Sequence, residues 1–219
     1  MSSQSNNKLK LFIKTISNDD CYNEIFNITD DFKSIKAPSI INSNGININI
    51  DYNNYISVLK YKIENSYKIY YGELNAPNNN DITKQVIGKG GCYLYLTTIV
   101  NRILFIWHDR NRNVFRFWSS TKYGIMDAIR AINDRVYKKS NNINENNYYN
   151  LDEKLSYDNC TYSKIRLCSK YYYVKDGDNN NLPVYTVIGN NLLGKLIGYY
   201  TIDNDIPTIN LVFDDKDKE

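Results

Sequence analysis

Residues Val86 to Gly91 read Val-Ile-Gly-Lys-Gly-Gly, and no other stretch limits the fold of this chain as tightly. Gly88, Gly90 and Gly91 bracket a single lysine, Lys89, in a region otherwise poor in glycine. Without Cβ atoms such a stretch turns freely, exposes backbone N–H groups and lets another molecule approach closely. Between two helical segments it ends one, starts the next, and offers a cradle for an anion such as phosphate. Its spacing is not GxxxxGK[ST], which argues against nucleotide hydrolysis.

The flanks supply those segments. Ala76-Pro77 and the run Asn78 to Asp81 break a preceding apolar stretch, Tyr67 to Gly72, and offer N-cap residues. Ile82 and Val86 then stand one helical turn apart, so Asp81 to Ile87 reads as a short helix stopped by the glycines. After them Cys92, Leu96 and Ile99 suit a second helix, although Tyr-Leu-Tyr-Leu-Thr-Thr-Ile-Val is equally good strand sequence. Ile103 to His108 and Val114 to Trp118 read as strands joined by the polar loop Asp109 to Asn113. Ser119, Ser120 and Thr121 offer capping hydroxyls. Ile125, Ala128, Ile129, Ile132 and Val136 follow at helical spacing, the strongest helical pattern in the chain.

Outside this segment the reading is β-rich. Leu9 to Ile13 begins a strand, Ile46, Ile48 and Ile50 alternate with period two, and Tyr55 to Ile63 suits either helix or strand. Lys138 to Asn150 is an Asn-rich linker or long loop. Beyond it Ile165 to Val174, Val184 to Ile188, Leu192 to Ile202 and Ile209 to Phe213 read as strands, with a turn at Asn204-Asp205 and a charged tail from Asp214.

Charge sharpens the pattern. The net charge is only +3, but Ala76 to Lys139 holds 11 Lys/Arg against 4 Asp/Glu, while the remainder holds 16 against 20. Positive charge gathered around a glycine turn points to a polyanionic partner. The 34 asparagines and 21 tyrosines have a simpler source, since Asn, Tyr, Ile and Lys all have AT-rich codons, as in the genome of a large DNA virus or an AT-rich protist. Tyr171 to Tyr173 is therefore read as strand sequence, and Trp107 and Trp118 as core.

Four cysteines without CxxC pairing and a single histidine, His108, give no zinc-ligand pattern and no nucleophile–base pair, so neither a metal site, a cofactor nor catalysis is expected. Cys160 and Cys168 are close enough in sequence for a disulfide, which an intracellular location disfavours. No apolar run of transmembrane length and no secretory leader is present, so the expectation is an intracellular chain that does not enter membranes.

The order strand, helix, glycine loop, helix, strand, strand, helix over Tyr67 to Val136, with Ile87 before Gly88 and Leu94 after Gly91, resembles the KH domain of the eukaryotic type. The resemblance covers about 70 of the 219 residues. Thr97 stands where the family has an aliphatic residue, Asn101-Arg102 where it has a glycine before the second strand, and Ser119 where a glycine often follows the third.

The fold implied is α+β. A KH-like module, a three-stranded antiparallel sheet packed by three helices, would span residues 66–139. A β-rich N-terminal extension (1–65), a linker (140–152) and a β-rich C-terminal extension (153–219) would surround it. The function implied is non-catalytic binding of single-stranded nucleic acid, RNA ahead of DNA. The loop Gly88, Lys89, Gly90 and Gly91 would clamp the backbone of about four nucleotides. Leu94, Tyr95, Leu104 and Ile106 would form the apolar wall of a groove, although strand alternation leaves open whether Leu104 and Ile106 or Ile103, Phe105 and Trp107 face the core. Arg102, Arg110, Arg112 and Arg116 would extend the phosphate contacts. The alternative is a protein-interaction or assembly role in which the extensions recruit a partner or a second copy.

Overall fold

The computed structural model of the chain describes residues 11–34, 40–43, 45–141, 154–167, 170–178, 180–189 and 192–213. The elements run β1 (Leu11–Ile16), α1 (Asn18–Ser34), β2 (Ile40–Ser43), β3 (Ile46–Asn49), α2 (Tyr52–Glu64), β4 (Ile69–Asn75), α3 (Asn80–Ile87), a 3₁₀ turn (Lys89–Gly91) and α4 (Cys92–Val100). They continue β5 (Phe105–Asp109), β6 (Val114–Ser119), α5 (Lys122–Ser140), β7 (Lys154–Tyr157), β8 (Cys160–Leu167), β9 (Lys170–Lys175), β10 (Leu182–Ile188), β11 (Leu192–Asp203) and β12 (Ile206–Leu211). The fold is α+β with two sheets, one of order β1-β4-β6-β5 and one of order β2-β3-β12-β11-β10-β9-β8-β7.

The first sheet is antiparallel throughout and covered on both faces. Gly72, Phe117 and Ile106 are register partners and so share a face, as do Leu74 and Phe115. Helix α5 packs directly on this face, where a Cβ at Gly72 would lie 2.9 Å from Ile125. The other face carries Tyr71, Glu73, Trp118, Arg116, Phe105 and Trp107. There Glu24 of α1 bonds Arg116 and Trp118, and Tyr55 of α2 stacks on Phe105. Phe115, Phe117 and Trp118 are fully buried, each contributing on the order of 1.5–3 kcal/mol or more from area alone.

Helix α1 replaces part of the expected β-rich N-terminal extension. Cys21 and Ile25, one turn apart, are fully buried, and Ser17 caps the helix by accepting from Asp20 N–H (3.0 Å). Helix α2 resolves the ambiguous stretch at Tyr55 to Ile63: Asp51 caps it, and Tyr55, Leu59 and Ile63 line its buried face. The N-terminal region is thus as helical as it is extended, and it does not stand apart. Strand β1 adds a fourth strand to the expected three-stranded sheet by pairing with β4. Strand β3 pairs in parallel with β12, joining the two ends of the chain in the second sheet.

Two further boundaries differ from the sequence reading. The stretch Ile165 to Val174 is parts of two paired strands, β8 and β9. Lys138 and Lys139 belong to α5, which runs to Ser140 and is capped by Asn141, so the linker does not begin at Lys138. The rest of that linker, beyond Asn141, falls outside the described residues, as do Cys168 and the tail from Asp214. The turn at Asn204-Asp205 forms as read, with both residues at positive φ, the geometry of a tight two-residue hairpin. Among the described residues no helix is long and apolar enough to cross a membrane, and no group of His, Cys, Asp or Glu side chains is placed to hold a metal ion.

Candidate nucleic-acid interface

Helix α3 starts at Asn79, whose side chain accepts from Asp81 N–H (2.9 Å) and Ile82 N–H (3.2 Å). It ends at Gly88, at φ 79° and ψ 167°, a conformation essentially restricted to glycine. Gly90 and Gly91 continue at φ 59° and 78°, and Gly91 N–H closes the turn on Gly88 C=O (3.1 Å). The turn points Lys89 and Gly90 outward, exposed, at the positive end of the α4 dipole, with β2 running alongside.

Helix α4 forms from strand-like sequence because nearly all of it is buried. Its β-branched Thr97 and Thr98 satisfy their hydroxyls on the carbonyls of Tyr93 (2.7 Å) and Leu94 (2.8 Å), so the unusual Thr97 fits an apolar site without an unmet bond. The Asn101-Arg102 departure has a backbone counterpart: Arg102 lies at φ 54°, a conformation that glycine adopts without strain. Ser119 is fully buried and its Oγ accepts from Thr121 N–H (3.1 Å).

The expected apolar wall is not open. Leu94, Leu104 and Ile106 are buried, at 8, 4 and 4% exposure, which corrects their reading as surfaces for bases. Both alternation sets of the strand, Ile103 and Phe105 as well as Leu104 and Ile106, are core, because the sheet is covered on both faces. Tyr55 Oη donates to Leu104 C=O (3.2 Å), and its ring meets those of Tyr95 (5.9 Å) and Phe213 (4.3 Å). Burial and then the neighbouring Tyr52 hydroxyl push the Tyr95 phenol up to about 12, so it stays neutral. What remains is a recess of about 370 Å³, open solvent included, with Lys62, Arg102 and Lys195 among its lining.

The expected arginines do not converge on the loop. Arg102 lies at the opposite end of α4 from the glycine turn, and Arg110 is exposed in the β5–β6 hairpin. That hairpin abuts the start of α3, where Asn113 bonds the carbonyls of Ala76 and Pro77, about 12 Å of helix away from Gly88. Arg112 forks onto Glu73 (2.8 and 2.7 Å), while Arg116 bonds Glu24 (2.9 Å) and Tyr71 Oη (2.9 Å) and lies over the Trp118 ring (4.8 Å). Desolvation raises the Glu73 carboxyl, but the Arg112 fork, the Tyr71 hydroxyl and the charge of Arg116 together hold it below its ordinary value. Arg112 and Arg116 are therefore both engaged in ion pairs within the chain, Arg112 with 53% of its side chain still exposed.

A basic group absent from the sequence reading lies beside the turn instead. Tyr93, two residues past Gly91, donates to Ala131 C=O of α5 (3.0 Å). The Arg135 guanidinium lies 4.1 Å from the Tyr93 ring centroid and donates twice to Gln85 C=O (3.1 Å each). Lys170 of β9 approaches the same ring (5.6 Å). The signal was present as Arg135 inside the apolar periodicity and Lys138-Lys139 at its end, but only tertiary contact brings Lys170 to the Tyr93 ring. The chain matches no family model, no curated protein and no solved structure.

Proposed function

We propose that this chain binds single-stranded nucleic acid without catalysis, gripping the phosphate backbone at the Gly88–Gly91 turn. The observation that carries the reading is the turn itself, with exposed Lys89 and Gly90 on a left-handed glycine stretch between two helices. The surrounding unit, with helices α3, α4 and α5 against the antiparallel order β4-β6-β5, is in keeping with the KH resemblance, and RNA ranks ahead of DNA on that resemblance alone. Because Leu94, Leu104 and Ile106 are closed to solvent, affinity would rest on phosphates with little choice among bases.

The test is fluorescence anisotropy with mixed-sequence single-stranded RNA and DNA between 50 and 200 mM salt. Binding should weaken steeply with salt, and Lys89→Asp combined with Gly90→Asp should abolish it. Absence of salt-sensitive binding by the wild-type chain would overturn the reading. A protein-interaction scaffold is the second reading, and the filling of the groove by Tyr55 and Phe213 favours it. Self-association that persists at high salt without retained nucleic acid would support that role.

A further inference from the structure

We propose that the phosphate path leaves the glycine turn over the end of α5, with Lys138 and Lys139 as its contacts. This rests on the nucleic-acid reading above and names a route that the loop alone does not specify. Three elements meet around Tyr93. Its hydroxyl holds α5 at Ala131, its ring lies under Arg135, and Lys170 reaches it from the second sheet. Arg135 in turn holds the last turn of α3 through Gln85, three residues before Gly88. The end of α5 is thereby fixed against both helices that flank the glycine turn.

Lys138 and Lys139 follow Arg135 at i+3 and i+4, so they share its helix face one turn further on. Lys138 is exposed and Lys139 half-buried, as expected for side chains at the rim of that contact. Basic residues commonly end helices because they complement the last carbonyls. Here Asn141 already does so, its side chain donating to Tyr137 C=O (2.8 Å). Lys89 on the turn and Lys138 and Lys139 on the end of the helix held against it thus carry the positive charge of this side.

The cations of the recess near Arg102 lie at the opposite end of α4 from the turn. Toward the hairpin, Arg112 and Arg116 are held by Glu73 and Glu24. Along α4, Tyr55 and Phe213 occupy the groove. A strand gripped at Lys89 therefore finds further positive charge on the α5 side.

The experiment uses the full chain and a fluorescein-labelled mixed-sequence single-stranded RNA, read by anisotropy across a salt series. Lys138→Gln with Lys139→Gln alters surface side chains, and circular dichroism confirms that the double variant is folded. Two lost phosphate contacts should make the slope of log K against log salt shallower by about 1.4 and weaken binding at 0.1 M salt by roughly 25-fold, while the Lys→Arg pair keeps the wild-type slope. Unchanged slope and affinity in the Gln pair, with binding still lost on Lys89→Asp and Gly90→Asp, would overturn this path and leave the loop reading standing. No salt-sensitive binding by the wild-type chain would overturn both.

Discussion

Replacing Gly88 by alanine should cost far more stability than the same change three residues on. At φ 79° and ψ 167°, Gly88 occupies a region where any residue with a Cβ is strained by about 1–3 kcal/mol. The added Cβ would also lie 2.8 Å from Cys92 Sγ and 3.3 Å from the Tyr93 backbone nitrogen. Cys92 is buried, so its sulfur cannot swing into solvent. At Gly91 the backbone is left-handed at φ 78° and ψ 11°, and a Cβ would meet only the Tyr95 ring at 3.6 Å, an ordinary contact. Strain there is about 1 kcal/mol. We therefore expect Gly88→Ala to cost about 3 kcal/mol and Gly91→Ala about 1 kcal/mol.

Urea unfolding followed by tryptophan fluorescence measures both, since Trp118 is fully buried. A Cys92→Ala background separates the two sources of cost. If the sulfur contact matters, Gly88→Ala should lose roughly 1 kcal/mol of its penalty there, and the coupling appears in the double-mutant cycle. Equal costs at Gly88 and Gly91, or a neutral Gly88→Ala, would refute the assignment of this turn.

Two other expectations test the surroundings of the site. Tyr55→Phe keeps the ring between Tyr95 and Phe213 but removes the donor to the Leu104 carbonyl, and should cost about 1–2 kcal/mol in the same assay; a neutral result would show that the bond contributes nothing to stability. Glu73 has its folded pKa held below the unfolded value, so its pairing stabilises the fold above the ordinary carboxylate range and is lost as pH falls through the folded value. Glu73→Gln should flatten that part of the acid limb of stability against pH, and an unchanged limb would show that the Arg112 fork carries no linkage.

How much was legible in the sequence depended on how local the cause was. Helix α5 was readable because Ile125, Ala128, Ile129 and Ile132, all of them buried, repeat with the helix period and Thr121 caps its start. The β5–β6 hairpin and the turn at Asn204-Asp205 were readable because short polar segments separate good strand formers. Helix α4 was ambiguous because its propensities favour a strand, and only its burial between elements decides the matter. Helix α1 was hidden because Asn and Asp punctuate its apolar positions, although Cys21 and Ile25 carried a short helical signal.

The candidate site divides along the same line. The Val86-Ile87-Gly88-Lys89-Gly90-Gly91 run by itself determined a helix stop, a left-handed turn and an exposed lysine, because positive φ and close approach are properties of the glycine backbone. Which cations accompany that lysine, and whether an apolar groove lies open beside it, was decided only by tertiary structure. Arg112 and Arg116 found carboxylates from β4 and α1, and Phe213 arrived from the far end of the chain to lie on Tyr55. Lys170 reached Tyr93 across a different sheet. Such pairings depend on which surfaces bury against one another, and residues distant in sequence carry no local mark of that choice.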